Sequence, residues 1–129
     1  MKIVKVAVYC RVATADQLAL ETQKEALVRY ATHLGYDQPV FYLDNGYSGL
    51  NIDRPDFLRL DADIQAGHIG AVIVCNIDRI GRNAFEVMTW INRLQKKGVK
   101  FFPMDLAFSA KSPLNLLDWN MDNKGERVL

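Results

Sequence analysis

Four arginines stand where short apolar runs give way to loops, and their placement suggests phosphate chemistry. Three patches carry them: Tyr9, Arg11, Ala13 and Gln17; then Asp44-x-Gly46-x-Ser48-Gly49 followed by Arg54-Pro55; then Asp78-Arg79-Ile80-Gly81-Arg82-Asn83. Phosphoryl transfer spreads negative charge over nonbridging oxygens, and guanidinium groups answer it with permanently charged, bidentate donors. Four like charges in one cleft repel one another, so an anion there would relieve the repulsion. Taken singly, each arginine reads equally well as a surface residue paired with Asp44, Asp53, Asp78 or Glu86. Taken together, the four favour the anion.

The elements that must position these patches are short and regular. Ile3 to Cys10 is apolar on both faces and valine-rich, as a fully buried strand should be. Thr14 to Leu34 reads as a helix, with Leu20, Gln23, Leu27, Tyr30, Ala31 and Leu34 at helical spacing and Gly35 past its end. Val40 to Leu43 is a second strand. Asp44 to Asp53 is a polar loop, and Asp53 is placed to cap a helix that has Pro55 in its first turn and Phe57, Leu60 and Ile64 on its inner stripe. Gly67 ends that helix, and Ile69 to Cys75 is a third strand. Ala84 to Lys97 is a third helix, with Phe85, Met88, Ile91 and Leu94 inward and Gly98 at its end, and Val99 to Met104 is a fourth strand. This alternation predicts an α/β fold: a largely parallel sheet of four to five strands with helices on both faces. Strand ends on one edge of such a sheet converge, so the three patches should face one cleft, where open α/β folds bind their ligands.

Composition narrows the setting. The 129 residues suit one domain, and 50% of them are hydrophobic, enough for a proper core. A formal net charge of +1 argues against a surface that is basic throughout, so contact with nucleic acid would fall to the local arginine cluster or need help from a segment not present here. Cys10 and Cys75 lie inside apolar runs and read as buried free thiols in a reducing cytoplasm, with a disulfide between neighbouring strands as the alternative. No Cys/His spacing suggests zinc, no signal peptide precedes the first strand, and no apolar run is long enough to span a membrane. Trp90 and Trp119 read as packing or interface residues rather than base-stacking platforms, and Tyr42 and Tyr47 flank the second loop and could be either. A nucleotide-binding or receiver-type domain would need a glycine-rich phosphate loop or an acidic cluster after the first strand, and Arg11 stands there instead.

The stretch Tyr9-Cys-Arg-Val-Ala-Thr-Ala-Asp-Gln17 resembles the signature of the serine recombinases, the resolvase/invertase superfamily, which reads Tyr-x-Arg-Val-Ser-Thr-x-x-Gln. The resemblance covers roughly Lys5 to Lys100 in three ordered motifs and implies a resolvase-like catalytic domain over residues 1–104. It implies action on double-stranded DNA with neither metal nor cofactor: both strands are cut, the ends are held through phosphoserine links, subunits rotate and the ends are rejoined. By position, it implies that Arg11, Arg79 and Arg82 surround the scissile phosphate and that Arg54 and Ser48 support the site. Asp78 would orient an arginine or handle protons, Tyr9 and Gln17 would shape the nucleophile pocket, and Gln23 matches a glutamine on the family's first helix.

Two departures stand out. The serine position is Ala13, which has no oxygen to form the ester; Thr14 and Ser48 are nearby hydroxyls, but a nucleophile must meet the phosphate in line. Two explanations are open: an engineered change that blocks cutting and keeps the DNA-binding surface, or a native, domesticated module that has lost cleavage and kept binding or assembly. The second departure is the tail. Residues 105–129 read as an irregular segment and then the start of a truncated dimerisation helix, from Ser112-Pro113 through Leu114, Leu117 and Met121 to Glu126-Arg127-Val128-Leu129, with Gly125 weakening it. Self-association and specific DNA binding by this fragment are therefore expected to be weak.

Overall fold

The structure, a computed structural model, describes residues 4–50 and 53–105. The chain runs β1 (Lys5–Val12), α1 (Gln17–His33), β2 (Val40–Asn45), α2 (Pro55–Gln65), β3 (Ile69–Val74), a single 3-10 turn (Ile77–Arg79), α3 (Ala84–Lys96) and β4 (Lys100–Pro103). The four strands form one sheet in the order β2-β1-β3-β4, and every pairing is parallel. The α/β architecture expected from the alternation is thus present. The expected dimerisation helix and Trp119 lie outside the described residues.

The topology fixes which helix covers which face. From β1 the chain steps to β2 on one side, then crosses back past β1 to β3 and on to β4. Right-handed crossovers therefore place α1 on one face and α2 and α3 on the other. Alternation along the strands supplies a core to each. Val8, Cys10, Val12 and Ile73 pack with Leu20, Leu27 and Ala31 of α1. Ala7, Tyr9, Tyr42, Val72 and Val74 pack with Phe57, Leu60 and Ile64 of α2 and with Val87, Trp90, Ile91 and Leu94 of α3.

Several boundaries differ from those the sequence predicts. β1 runs two residues past Cys10, because Arg11 and Val12 still pair with Asp44 and Asn45 of a correspondingly longer β2. α1 begins at Gln17 rather than Thr14, because the Asp16 carboxylate accepts the Ala19 amide at 3.0 Å and caps the helix there. The N-cap of α2 is Arg54, not Asp53, and its second and third amides donate to Asp44 from β2. The buried stripe of α3 also turns away from Phe85, which is 81% exposed, toward Val87 and Trp90, so the large indole fills the space against Phe57. Trp90 is accordingly a packing residue, its ring nitrogen donating to Asp61. Cys10 is buried, Cys75 is half-buried, and both are free thiols.

Candidate functional site

The strand order reverses at β1, since β2 and β3 leave it on opposite sides, so a crevice opens beyond the carboxyl ends of β1 and β3. Everything described below gathers there. Tyr9 and Arg11 alternate with Cys10 and so point to the α2/α3 face, as do Tyr42 and Asp44 beside them.

Arg11 is 3% exposed, yet among the described residues no carboxylate pairs with its guanidinium. Its Nε donates to the Arg79 carbonyl at 3.1 Å, Nη1 to the Tyr47 carbonyl at 3.0 Å and Nη2 to the Asp78 carbonyl at 2.7 Å. β3 has already ended at this level, which leaves one side of the Arg11 backbone without a strand neighbour. Gln23 from α1 fills the gap: its side-chain oxygen accepts the Arg11 amide at 3.1 Å and its Nε2 donates to the Arg11 carbonyl at 3.3 Å. The same carbonyl accepts Nη1 of Arg79 at 2.7 Å.

Arg54 is fully buried. Its Nη1 donates to the Tyr9 hydroxyl and to the Arg79 carbonyl, each at 3.0 Å, its Nη2 donates to the Ile80 carbonyl, and its guanidinium lies 4.4 Å from the Phe57 ring centroid. The Tyr9 hydroxyl in turn donates to Asp44 Oδ2 at 2.7 Å. Asp44 completes the chain by accepting the Asp56 and Phe57 amides at 3.0 Å, where the positive end of α2 favours a carboxylate. Burial above all pushes the Tyr9 phenol far above its usual range.

The third patch is a tight turn. Asp78 lies on the 3-10 segment with its side chain largely exposed, and its Oδ1 is 3.7 Å from Nε of Arg79. Arg79 Nε also donates to Asn76 Oδ1 at 3.2 Å. Arg82 is exposed, and among the described residues its guanidinium makes no hydrogen bond or ion pair; its amide donates to the Gly49 carbonyl at 3.1 Å. Gly49 sits where no side chain fits, since a Cβ there would lie 2.7 Å from Nη2 of Arg11 and 2.8 Å from Cγ of Arg82.

Ala13 is the first residue beyond β1 and is exposed. The loop that carries it is tied down from both sides. The Val12 carbonyl accepts the Gly46 and Tyr47 amides at 2.8 and 3.1 Å, and Asn45 accepts the Asp16 amide at 2.9 Å. Gly46 has a φ of +90° and brings its backbone against Ala15. Gln17 donates to Glu21 and accepts from Asn45, and the Ser48 hydroxyl accepts the Leu50 amide; among the described residues neither is hydrogen-bonded to an arginine.

The structure therefore brings Tyr9, Arg11, Gln23, Arg54, Arg79 and the Asp78 backbone into one network, with Arg82 and Ala13 on its outer side and Gln17 and Ser48 on separate contacts. Charge within it is unbalanced. Among the described residues Asp44 is the one buried carboxylate near these guanidiniums, Arg79 pairs with the largely exposed Asp78, and burial followed by the Arg79 and Arg54 charges pulls the Arg11 guanidinium below its usual range. Such a site favours an added anion. Among the described residues, no cluster of three or more His, Cys, Asp or Glu side chains could hold a metal ion. Sequence reasoning missed the connecting roles of Asp44, Asn45 and Gly49, although all three lie in the loop motif it singled out.

Known proteins resemble this chain in sequence and in fold. A family model described as the resolvase N-terminal domain matches residues 6–119. A putative DNA recombinase of Bacillus subtilis (strain 168) is 31% identical over 98 residues, covering 73% of this chain and 19% of that protein. A resolvase of Escherichia coli is 37% identical over 94 residues, covering 72% of this chain and 41% of the other. The chain thus spans less than half the length of these relatives. The crystal structure of the N-terminal catalytic domain of TP901-1 integrase superposes with a TM-score of 0.72 at 29% identity, covering 78% of each chain.

Proposed function

The chain belongs to the resolvase N-terminal domain family, and from that premise we propose that it is the phosphodiester-engaging catalytic domain of a serine-class site-specific DNA recombinase, inactive in cleavage because Ala13 stands at the nucleophile position. The observation that carries this reading is a buried network holding more guanidinium than carboxylate, set at the strand ends beside a residue that has no hydroxyl. The arginines would bind and neutralise the DNA phosphate, and no metal or cofactor enters. With serine at position 13, its oxygen would bond to phosphorus as a sugar oxygen left with a proton, producing the phosphoserine link. Alanine cannot take that step. Double-stranded DNA is the proposed partner. Self-association through residues 105–129 is the proposed assembly route. The two free thiols fit a reducing, cytoplasmic setting.

The experiment is to make Ala13→Ser and incubate it with duplex DNA carrying candidate crossover sites. A covalent protein–DNA adduct that survives denaturing electrophoresis is expected with Ala13→Ser and not with the unaltered chain. An adduct from the unaltered chain would overturn the cleavage-inactive reading.

The persistence of the arginine network around Ala13 favours a second reading, a non-cleaving module that keeps DNA binding or assembly. Here the unaltered protein should enter a mixed complex with an active recombinase, measured by co-sedimentation on a shared site.

A further inference from the structure

We infer that Asp56 and Arg59 of α2 stand in for a neighbouring strand and close the outer edge of β2, which would otherwise take up the β2 of a second copy of this chain. Nothing in this depends on what the site binds.

Among the described residues β2 has a strand on one side only. Its sequence, Val40-Phe-Tyr-Leu-Asp-Asn45, opens with four apolar residues, two of them aromatic, a composition that pairs readily with its like when an edge is open. Along a strand the backbone groups turn to alternate edges, and those of Phe41 and Leu43 meet α2 side chains instead of a strand. Asp56 Oδ2 accepts the Leu43 amide at 2.8 Å, and Nη2 of Arg59 donates to the Phe41 carbonyl at 3.1 Å. The two side chains are themselves paired at 3.3 Å. In a parallel ladder, one residue of a neighbour strand set opposite Tyr42 would donate to the carbonyl before Tyr42 and accept from the amide after it. The Asp56–Arg59 pair makes those same two bonds.

The faces beside the edge carry cations as well. The Arg59 guanidinium lies 4.1 Å from the Tyr42 ring centroid on the α2 side, and the Lys24 ammonium lies 4.6 Å from the Phe41 centroid on the α1 side. A strand joining β2 would have to displace Arg59 and pass Lys24, and charged side chains of this kind keep sheet edges apart. The closure also reaches the site. The Asp56 amide donates to Asp44 Oδ1 at 3.0 Å, while the Asp56 carboxylate holds Leu43, the residue before Asp44. Opening the edge therefore loosens the carboxylate that anchors Tyr9. A second copy is the partner that fits, because its β2 offers the same apolar run and a two-fold axis satisfies both edges at once.

The test compares the unaltered 129-residue chain with Arg59→Ala and with the double variant Asp56→Ala/Arg59→Ala. Sedimentation velocity over a range of protein concentrations reads association, and hydrogen exchange at the lowest and highest concentrations reads the Leu43 amide. In the unaltered chain that amide should be protected at every concentration. In the double variant it should exchange at least about tenfold faster at the lowest concentration. As concentration rises, a dimer should form and protection should return, because a carbonyl of the second copy replaces Asp56. Arg59→Ala should form the same dimer more weakly. Association through residues 105–129 would be common to all three proteins, so only differences from the unaltered chain count. Variants that sediment like the unaltered chain at every concentration overturn the proposal, and so does a double variant that associates while its Leu43 amide stays fast. Should the double variant fail to fold, Arg59→Ala, which removes an exposed side chain, decides by the same comparison of sedimentation.

Discussion

Asp44 joins the arginine network to the first turn of α2. It accepts the Tyr9 hydroxyl and two α2 amides, and through Tyr9 it is linked to Arg54. Removing one partner from a buried charged network leaves the others without compensation. Asp44→Ala should therefore lower the unfolding free energy by about 3–5 kcal/mol, read as a fall in the urea midpoint. Asp44→Asn keeps the shape and one acceptor oxygen, and should lose about 1–3 kcal/mol. Gly49→Ala tests packing rather than charge. The added methyl would meet Nη2 of Arg11, a group that three hydrogen bonds keep from moving aside, and a loss of about 1–3 kcal/mol is expected in the same titration. The arginines themselves could be found in the sequence, because residue type and position after apolar runs sufficed. The roles of Asp44 and Gly49 could not. The sequence offers Asp44 as a possible ion-pair partner for any of four arginines, and only the register that sets Arg11 beside Asp44, with Tyr9 two residues earlier on the same face, selects its actual contacts.

Among the elements, the order and type of all four strands and three helices could be read from apolar runs and glycine stops, and Gly35, Gly67 and Gly98 all take the positive φ their places require. Helix starts were harder to read. Thr14 and Asp16 are both acceptable N-caps, and the choice depends on tertiary contacts: Asn45 accepts the Asp16 amide, and Asp16 itself is extended, so the helix starts after it. The inner face of α3 was misread for a similar reason: Phe85 and Trp90 lie on different sides of the helix, and only packing against Phe57 decides which is buried. Asp16→Ala should weaken α1 by about 1 kcal/mol, the usual cost of a lost N-cap, and loosen the loop that holds Ala13. Asn45→Ala should loosen the same loop while leaving the Asp16 cap in place. Hydrogen exchange separates the two: the Ala19 amide loses protection in Asp16→Ala only, and the Asp16 amide loses it in Asn45→Ala.

Taken as one molecule, the protein folds around a parallel sheet buried on both faces, so titratable side chains that lie on it are forced out of water. Burial pushes the Cys10 thiol up to about 12 from an ordinary 9.0, and the Tyr30 phenol up to about 12 from 10.0. Tyr9, Tyr42 and Cys75 move in the same direction, in each case chiefly through burial. The sign follows from proton counting. Above its ordinary pKa the unfolded chain gives up the Cys10 proton while the folded chain still holds it, so the unfolded state binds fewer protons and stability falls as pH rises. For Cys10 the stabilisation is complete below pH 9.0 and is lost across the interval up to about 12. Within that interval one such group contributes a slope of at most about 1.4 kcal/mol per pH unit. The unfolding free energy of the unaltered chain should therefore decline steadily above about pH 9, without a step between pH 6 and 8 from these groups. Cys10→Ala removes one titrating group from the fold, so its decline between pH 9 and 11 should be shallower even though it starts from a lower value, because the lost Sγ leaves a small cavity. Urea titrations of the two proteins at half-unit intervals give both curves. Parallel curves would mean that the Cys10 thiol ionises as freely in the fold as out of it, which its complete burial between α1 and the sheet does not allow.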